Sequence, residues 1–364
     1  MRAAAQLDLV GDEEARPAVM AMESQALGMR GAEGDLERAY ELGERSLELW
    51  TPDTRPVDLT HQLHLHCDTA YWIGNYERAL ELADKTREAA SDVRVAEAFL
   101  RGGGTGALSL AGLGRHEEAI AIWEELLPLA DELGRTRRSI LNYSSLAYRE
   151  LYDVDEARRQ SEEALELSPP SFFNMPRQFA GSDLLQTELL AGEQGRAESL
   201  WRQRWGEADE ARRWTRWLIA GRLELARAEL ELAAGDDEAA LRWADRSLAT
   251  ARRTLRRKYE ARSLTVRGLA LARLGRKEDA LESLQAAVPI ADALIGPPAR
   301  WRARAALGQA AYALGEDDAS ERAWHEAAAL VQDFATTLSE ERRSRFLGSP
   351  QVESLLRANA DVPA

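Results

Sequence analysis

The stretch from His61 to Asp68, HQLHLHCD, holds three of the five histidines and the only cysteine of a 364-residue chain. Imidazole, thiol and carboxylate at this density raise two chemistries, metal ligation and nucleophilic catalysis. On a helix, His64 and Asp68 stand four residues apart and share a face, and His61 neighbours His64 three residues earlier. That spacing would supply two or three ligands of a zinc site. No second His or Cys cluster completes a tetrahedron, because His116 and His325 are far along the chain. The expectation is therefore no metal, no cofactor and a Cys67 that packs as a small, inert side chain. No HExxH, GxxxxGK[ST] or dinucleotide fingerprint occurs either, and no Ser/His/Asp set has a recognisable spacing. The chain reads as a non-enzyme.

The elements that position these residues follow from a repeat. GDLERA begins at Gly34, GNYERA at Gly74, GRHEEA at Gly114 and GEQGRA at Gly192. GDDEAA begins at Gly235, GRKEDA at Gly275 and GEDDAS at Gly315, with a degenerate copy, YDVDEA, at Tyr152. Successive turns are 38–43 residues apart. Each Gly suits the left-handed residue that ends one helix, and the Asp, Glu or Asn that often follows suits the N-cap of the next. Apolar-periodic stretches on both sides make each unit two antiparallel helices and a tight turn. The register agrees. Small residues stand five after the turn (Ala39, Ala79, Ala119, Ala157, Ala197, Ala240, Ala280, Ser320) and seven before it, where Cys67 falls. Bulky residues stand nine after it, as Trp123, Trp201, Leu284 and Trp324.

This pattern of Gly, Ala five later, an aromatic and a second small residue resembles the tetratricopeptide repeat over about residues 14–337, in units longer than the family's ~34 residues. The resemblance implies an all-α, right-handed α-α superhelix of about eight helix pairs, with residues 1–337 as the repeat domain and 338–364 as a C-terminal capping helix and tail. It also implies that the first helix of each pair lines the concave surface. The repeat register then puts His61, His64, Asp68, Arg101, Asn142, Gln186, Arg222, Glu229, Arg262 and Gln309 on that face. Long units of this kind resemble the C-terminal regions of bacterial signalling ATPases and LuxR-type transcriptional activators. The implied function is a protein-interaction scaffold or regulatory module that holds a peptide or protein segment in the groove, with an acidic segment suited to the arginines. The alternative is a ligand-sensing domain that takes a small-molecule effector inside the superhelix and serves signalling or transcription regulation.

Other stretches have plainer readings. RGGGTG (101–106) lacks the ending of a phosphate loop, so it predicts a first helix that starts late or kinks. Arginine clusters at 135–139, 212–217, 252–262 and 299–304 open several first helices, where the carbonyl ends of neighbouring second helices would receive them. Trp214, Trp217 and Trp301 fall outside the core register and predict exposed edges. SPPSFFNMP (168–176) predicts a longer connector. The net charge of −15 argues against wholesale binding of nucleic acid or anionic membrane. One cysteine, no apolar run long enough to span a bilayer and no signal-peptide core at the N-terminus give the expectation of a cytoplasmic protein.

Overall fold

The computed structural model of the protein describes residues 16–51, 56–92, 95–131, 133–168, 175–210 and 216–360. Its elements pair as the repeat requires. The first four hairpins are α1 (Arg16–Arg30) with α2 (Asp35–Glu48), α3 (Pro56–Ile73) with α4 (Tyr76–Asp92), α5 (Ala96–Gly112) with α6 (His116–Leu129), and α7 (Gly134–Glu150) with α8 (Val154–Glu166). Then come α9 (Met175–Leu190) with α10 (Gln194–Glu210), α11 (Arg216–Ala234) with α12 (Asp237–Arg253), α13 (Arg257–Arg273) with α14 (Lys277–Ala293), and α15 (Pro297–Ala313) with α16 (Asp317–Thr336). Two short helices close the chain, α17 (Glu340–Leu347) and α18 (Pro350–Ala360), where the sequence predicts one.

The turns explain the glycines. Gly34, Gly74, Gly114, Gly192, Gly235, Gly275 and Gly315 all take φ between +74° and +89°, the left-handed region that a Cβ disfavours. At the degenerate copy Tyr152 takes φ 59°, and its ring stacks on Phe346 with 6.0 Å between centroids. Asn75, Asp153 and Asp236 cap the following helices by accepting from the amides of Arg78, Glu156 and Ala239 at 3.2, 3.3 and 3.0 Å. Glu316 makes no such cap. Arg115 and Arg276 instead reach the carboxylates of Glu118 and Asp279 in the first helical turn.

All eight small residues five after the turn are fully buried. They receive the position seven before it: the Cys67 thiol donates to the Ala79 carbonyl at 3.1 Å, and Ser320 bonds the Gly308 carbonyl at 2.9 Å. A Cβ on Gly268 would lie 2.4 Å from Leu284 Cγ, so that copy needs glycine. Burial pushes the Cys67 thiol well above its usual value, so it stays a thiol. Cys67→Ala should unfold within about 1 kcal/mol of wild type, whereas Cys67→Leu should lose about 1–3 kcal/mol through overpacking. Urea titration separates the two, and a harmless leucine would remove Cys67 from the helix–helix contact.

From the second hairpin on, each first helix packs on its own partner and on the first helix of the next pair. Successive second helices make no comparable contact among the described residues. The first helices therefore form the tighter, inner track, and the array is an all-α superhelical solenoid with local packing. The glycines at 102–106 neither delay nor interrupt α5, contrary to the expectation from RGGGTG; the helix is unbroken and they are buried. A Cβ on Gly103 would meet Leu126 at 2.7 Å, and one on Gly102 or Gly106 would meet α4 at 3.1–3.2 Å. These residues let α5 approach its neighbours closely.

The superhelix closes on itself, which the local register does not specify. Trp217 is buried rather than exposed; its indole donates to the Gly28 carbonyl at 3.2 Å and meets Trp72 edge-on at 5.8 Å. Trp301 is also buried rather than exposed, within ring-contact distance of Phe334 and Phe346. Trp214 lies outside the described residues, as does most of the connector at 168–176. Leu294 and Pro297 abut Gly74 and Gly114. Arg342 pairs with Glu117 at 2.5 Å and Glu124 at 2.9 Å, and Gln351 bonds the Leu190 carbonyl at 3.0 Å. The C-terminal half is thus fastened to α3–α9 by its own inner helices and by α17–α18.

Candidate functional site

Closure turns the inner face into a cavity of about 330 Å³. The inner helices α3, α7, α9, α11, α13 and α15 all contribute to its wall. Six cations face it: Arg149, Arg222, Arg256, Lys258, Arg262 and Arg302. Arg149 and Arg222 share Asp183, at 3.2 and 3.1 Å. Lys258 meets Glu150 at 2.5 Å across the seam, and His116 meets the other oxygen of the same carboxylate at 3.1 Å. Burial pushes the Glu150 carboxyl up, but Lys258 and His116 outweigh it and hold it well below its usual value. Arg262 donates to Glu229 at 2.6 Å and to Gln186 at 2.8 Å, and Gln186 in turn donates to Glu229 at 3.2 Å.

Two cations are different. Arg256 donates to the Leu218 carbonyl at 3.2 Å and lies 3.8 Å over the Tyr259 ring. Arg302 donates to the Tyr152 hydroxyl at 3.3 Å. Neither is in an ion pair among the described residues, though Glu150 and Glu229 act on Arg302 from further away. Leu146, Leu189, Leu190 and Val266 supply apolar wall, and Tyr71, Trp72 and Tyr259 supply aromatic edges. Among the described residues the wall is that of a partly enclosed pocket with apolar sides and a few fixed polar groups, the form that small-molecule sites take.

Of the ten register positions, Gln186, Arg222, Glu229 and Arg262 meet in this cavity. His61, His64 and Asp68 stand on α3 and Arg101 on α5, outside the cavity wall. His61 is exposed, and His64 is buried with neither ring nitrogen bonded among the described residues. Burial, with Arg101 and His61 nearby, lowers the His64 imidazole to about 3, so it is neutral at physiological pH. Burial raises the Asp68 carboxyl to about 6 against the pull of Arg101. The two lie 3.9 Å apart. His66 bonds Glu44 at 2.6 Å and lies 5.1 Å from the Tyr40 ring. Asn142 is buried and donates to the Pro176 carbonyl at 3.4 Å, while Gln309 is exposed and outside the cavity wall. The ten register positions do not include Arg149, Glu150, Arg256, Lys258, Tyr259 or Arg302, although Arg302 stands thirteen before its turn, as Arg222 and Arg262 do. The cluster RRTLRRKYEAR carries three of them in sequence. Part of it serves helix ends, with Arg252 and Arg257 on Glu260 at 3.1 and 2.8 Å, and part turns inward.

No family model and no curated protein matches the chain. Among solved structures it is similar to a Rap protein complexed with competence and sporulation factor, at 12% identity and a TM-score of 0.55, over 96% of this chain and 99% of that one. It also matches a tetratricopeptide repeat protein from Parabacteroides merdae, at 14% identity and TM-score 0.46, over 83% and 99% of the two chains. Yeast Tom70 matches at 15% identity and TM-score 0.41, over 89% and 62%. At these identities the likeness concerns the fold alone: a superhelix of tetratricopeptide-like helix hairpins.

Proposed function

We propose that this chain is a regulatory binding module, not a catalyst, and that its binding site is the interior cavity. The observation that supports this reading is the convergence of both halves of the superhelix on one pocket, so that an occupant touches both and favours the closed arrangement. Gln186, Arg222, Glu229 and Arg262 are its proposed contacts, together with Arg149, Arg256, Lys258, Tyr259 and Arg302. The size of the pocket favours a small effector or a chain terminus. An extended segment laid along every repeat is less well supported, because α13 and α15 already occupy part of the inner face of α3–α7. The resemblance to the C-terminal regions of LuxR-type activators and signalling ATPases supports a place in bacterial signalling or transcription regulation, with a protein partner reading the ligand-dependent state. The Rap structure with its bound factor is consistent with that arrangement.

A metabolite library screened by thermal shift tests the reading. A ligand present at about 100 times its Kd adds about 2.7 kcal/mol to stability. Thr265 lines the cavity, and among the described residues its hydroxyl bonds only the Ala261 carbonyl of its own helix. Thr265→Trp should therefore fill the pocket with the fold retained. Compounds that raise the melting temperature of wild type should leave this variant unmoved. Equal shifts in both proteins, or no hit at all, would contradict the assignment.

A further inference from the structure

The charge on the cavity wall is unbalanced. Asp183 serves both Arg149 and Arg222, Glu150 serves Lys258 and Glu229 serves Arg262. Arg256 and Arg302 form no ion pair among the described residues, although Glu150 and Glu229 act on Arg302 at longer range, so the six cations face three paired carboxylates. This sits inside a chain of net charge −15, whose overall field repels anions. An internal excess of guanidinium in a partly closed site is costly unless something offsets it. The Tyr259 phenol registers the same field. Burial pushes it up, yet Arg222, Arg256 and Arg262 outweigh burial and hold it below its usual value. The Nε of Arg222 is buried with no hydrogen-bond partner among the described residues, a donor left for something else to satisfy. Around these groups the wall is apolar, with Leu146, Leu189 and Val266.

We propose that the cavity is a receptor for a compact organic dianion: a flat apolar body bearing oxyanion groups, carboxylate or phosphate, that bridges Arg222 and Arg256 of one wall to Arg302 of another. The proposal rests on the reading of the cavity as the binding site and specifies what fills it. Guanidinium groups suit both oxyanions, because their planar fork donates in pairs. Such a ligand links α11, α13 and α15, and it stabilises the closed superhelix by replacing repulsion between cations with attraction.

Isothermal titration of the full chain with phthalate, phenyl phosphate and neutral benzamide tests this. Both oxyanion arms probe one chemistry, and their ratio distinguishes carboxylate from phosphate. At least one dianion should bind below about 1 mM, with benzamide at least about tenfold weaker. Arg302→Gln should weaken the dianion about tenfold or more. Arg256→Gln should do the same, provided circular dichroism shows it folded. Higher ionic strength should weaken binding further. Benzamide equal to the dianions, dianion binding indifferent to Arg302→Gln, or no dianion binding below about 1 mM would each overturn the proposal. If Thr265→Trp abolishes binding of a neutral compound, the cavity remains the binding site and the anion assignment alone fails.

Discussion

Phe346→Ala should cost about 3–5 kcal/mol and free the C-terminal helices from the array. Phe346 is fully buried in α17, with ring centroids 5.3 Å from Phe334, 5.7 Å from Trp301 and 6.0 Å from Tyr152. Those rings belong to α16, α15 and the turn after α7, so one side chain joins the last hairpin to the middle of the superhelix. Its removal creates a cavity and strips the support from Tyr152, whose left-handed backbone costs about 1–2 kcal/mol for a residue with a Cβ. The Arg345–Asp153 contact at 3.3 Å is exposed and weak, so Arg342, Gln351 and the buried Val352 and Leu355 would be left to hold the cap. Guanidinium unfolding gives the energy, and limited proteolysis shows the cap: cleavage should begin within 338–360 in the variant. A loss under about 1 kcal/mol with the cap still protected would mean that the cap does not hold the ring.

Lys258→Met should be nearly as damaging, at about 3–5 kcal/mol, because it leaves the buried Glu150 carboxylate with only His116. The effect should depend on pH in a definite direction. In wild type the Glu150 carboxyl is held below its unfolded value of about 4.3. Its ionised form therefore contributes stability that is present above about pH 4.3 and is lost as the pH falls. The variant lacks that contribution, so the gap between the two proteins should be widest near pH 7 and should narrow below about pH 4. The double variant Glu150→Gln/Lys258→Met should recover most of the loss, since no buried carboxylate is left without its cation. Urea titrations of wild type, Glu150→Gln, Lys258→Met and the double variant at two pH values form the cycle. A single variant no weaker than the double one would show that the pair is not coupled.

The repeat was legible because everything that makes it is local. A turn glycine, a small residue five later and another seven before lie within one hairpin, and the steric reasons for them act between neighbours. The closure was not legible, because it joins residues that no period relates. Lys258 meets Glu150 across 108 positions, and Trp217 meets Gly28 across 189. That difference also explains the candidate site. Arg222 and Arg262 stand thirteen before their turns, and Gln186 and Glu229 stand six before theirs. The inner-face register finds all four. Arg302 holds the same thirteen-before position in the last hairpin and was equally legible, though the ten positions omit it; closure is what brings it opposite the others. Arg149 and Tyr71, three before their turns, enter the wall from the far end of their helices. Arg256, Lys258 and Tyr259 lie ahead of the register, in and just before the first turn of α13. Their cluster reads as helix-end chemistry until the opposite wall is known. His61, His64 and Asp68 drew notice through residue type and through the same register, and the fold sets them apart from the cavity wall.

The seam itself can be tested with a single reagent. A carbodiimide joins an amine to a carboxylate only where the two already touch, and the chain has only three lysines, Lys85, Lys258 and Lys277. After coupling of the monomeric protein and proteolysis, mass spectrometry should find Lys258 linked to Glu150, with the 2.5 Å contact between them as the cause. If Lys258 is found joined only to carboxylates of its own or adjacent hairpins, the superhelix is open in solution, and the cavity on which the binding assignment rests does not exist.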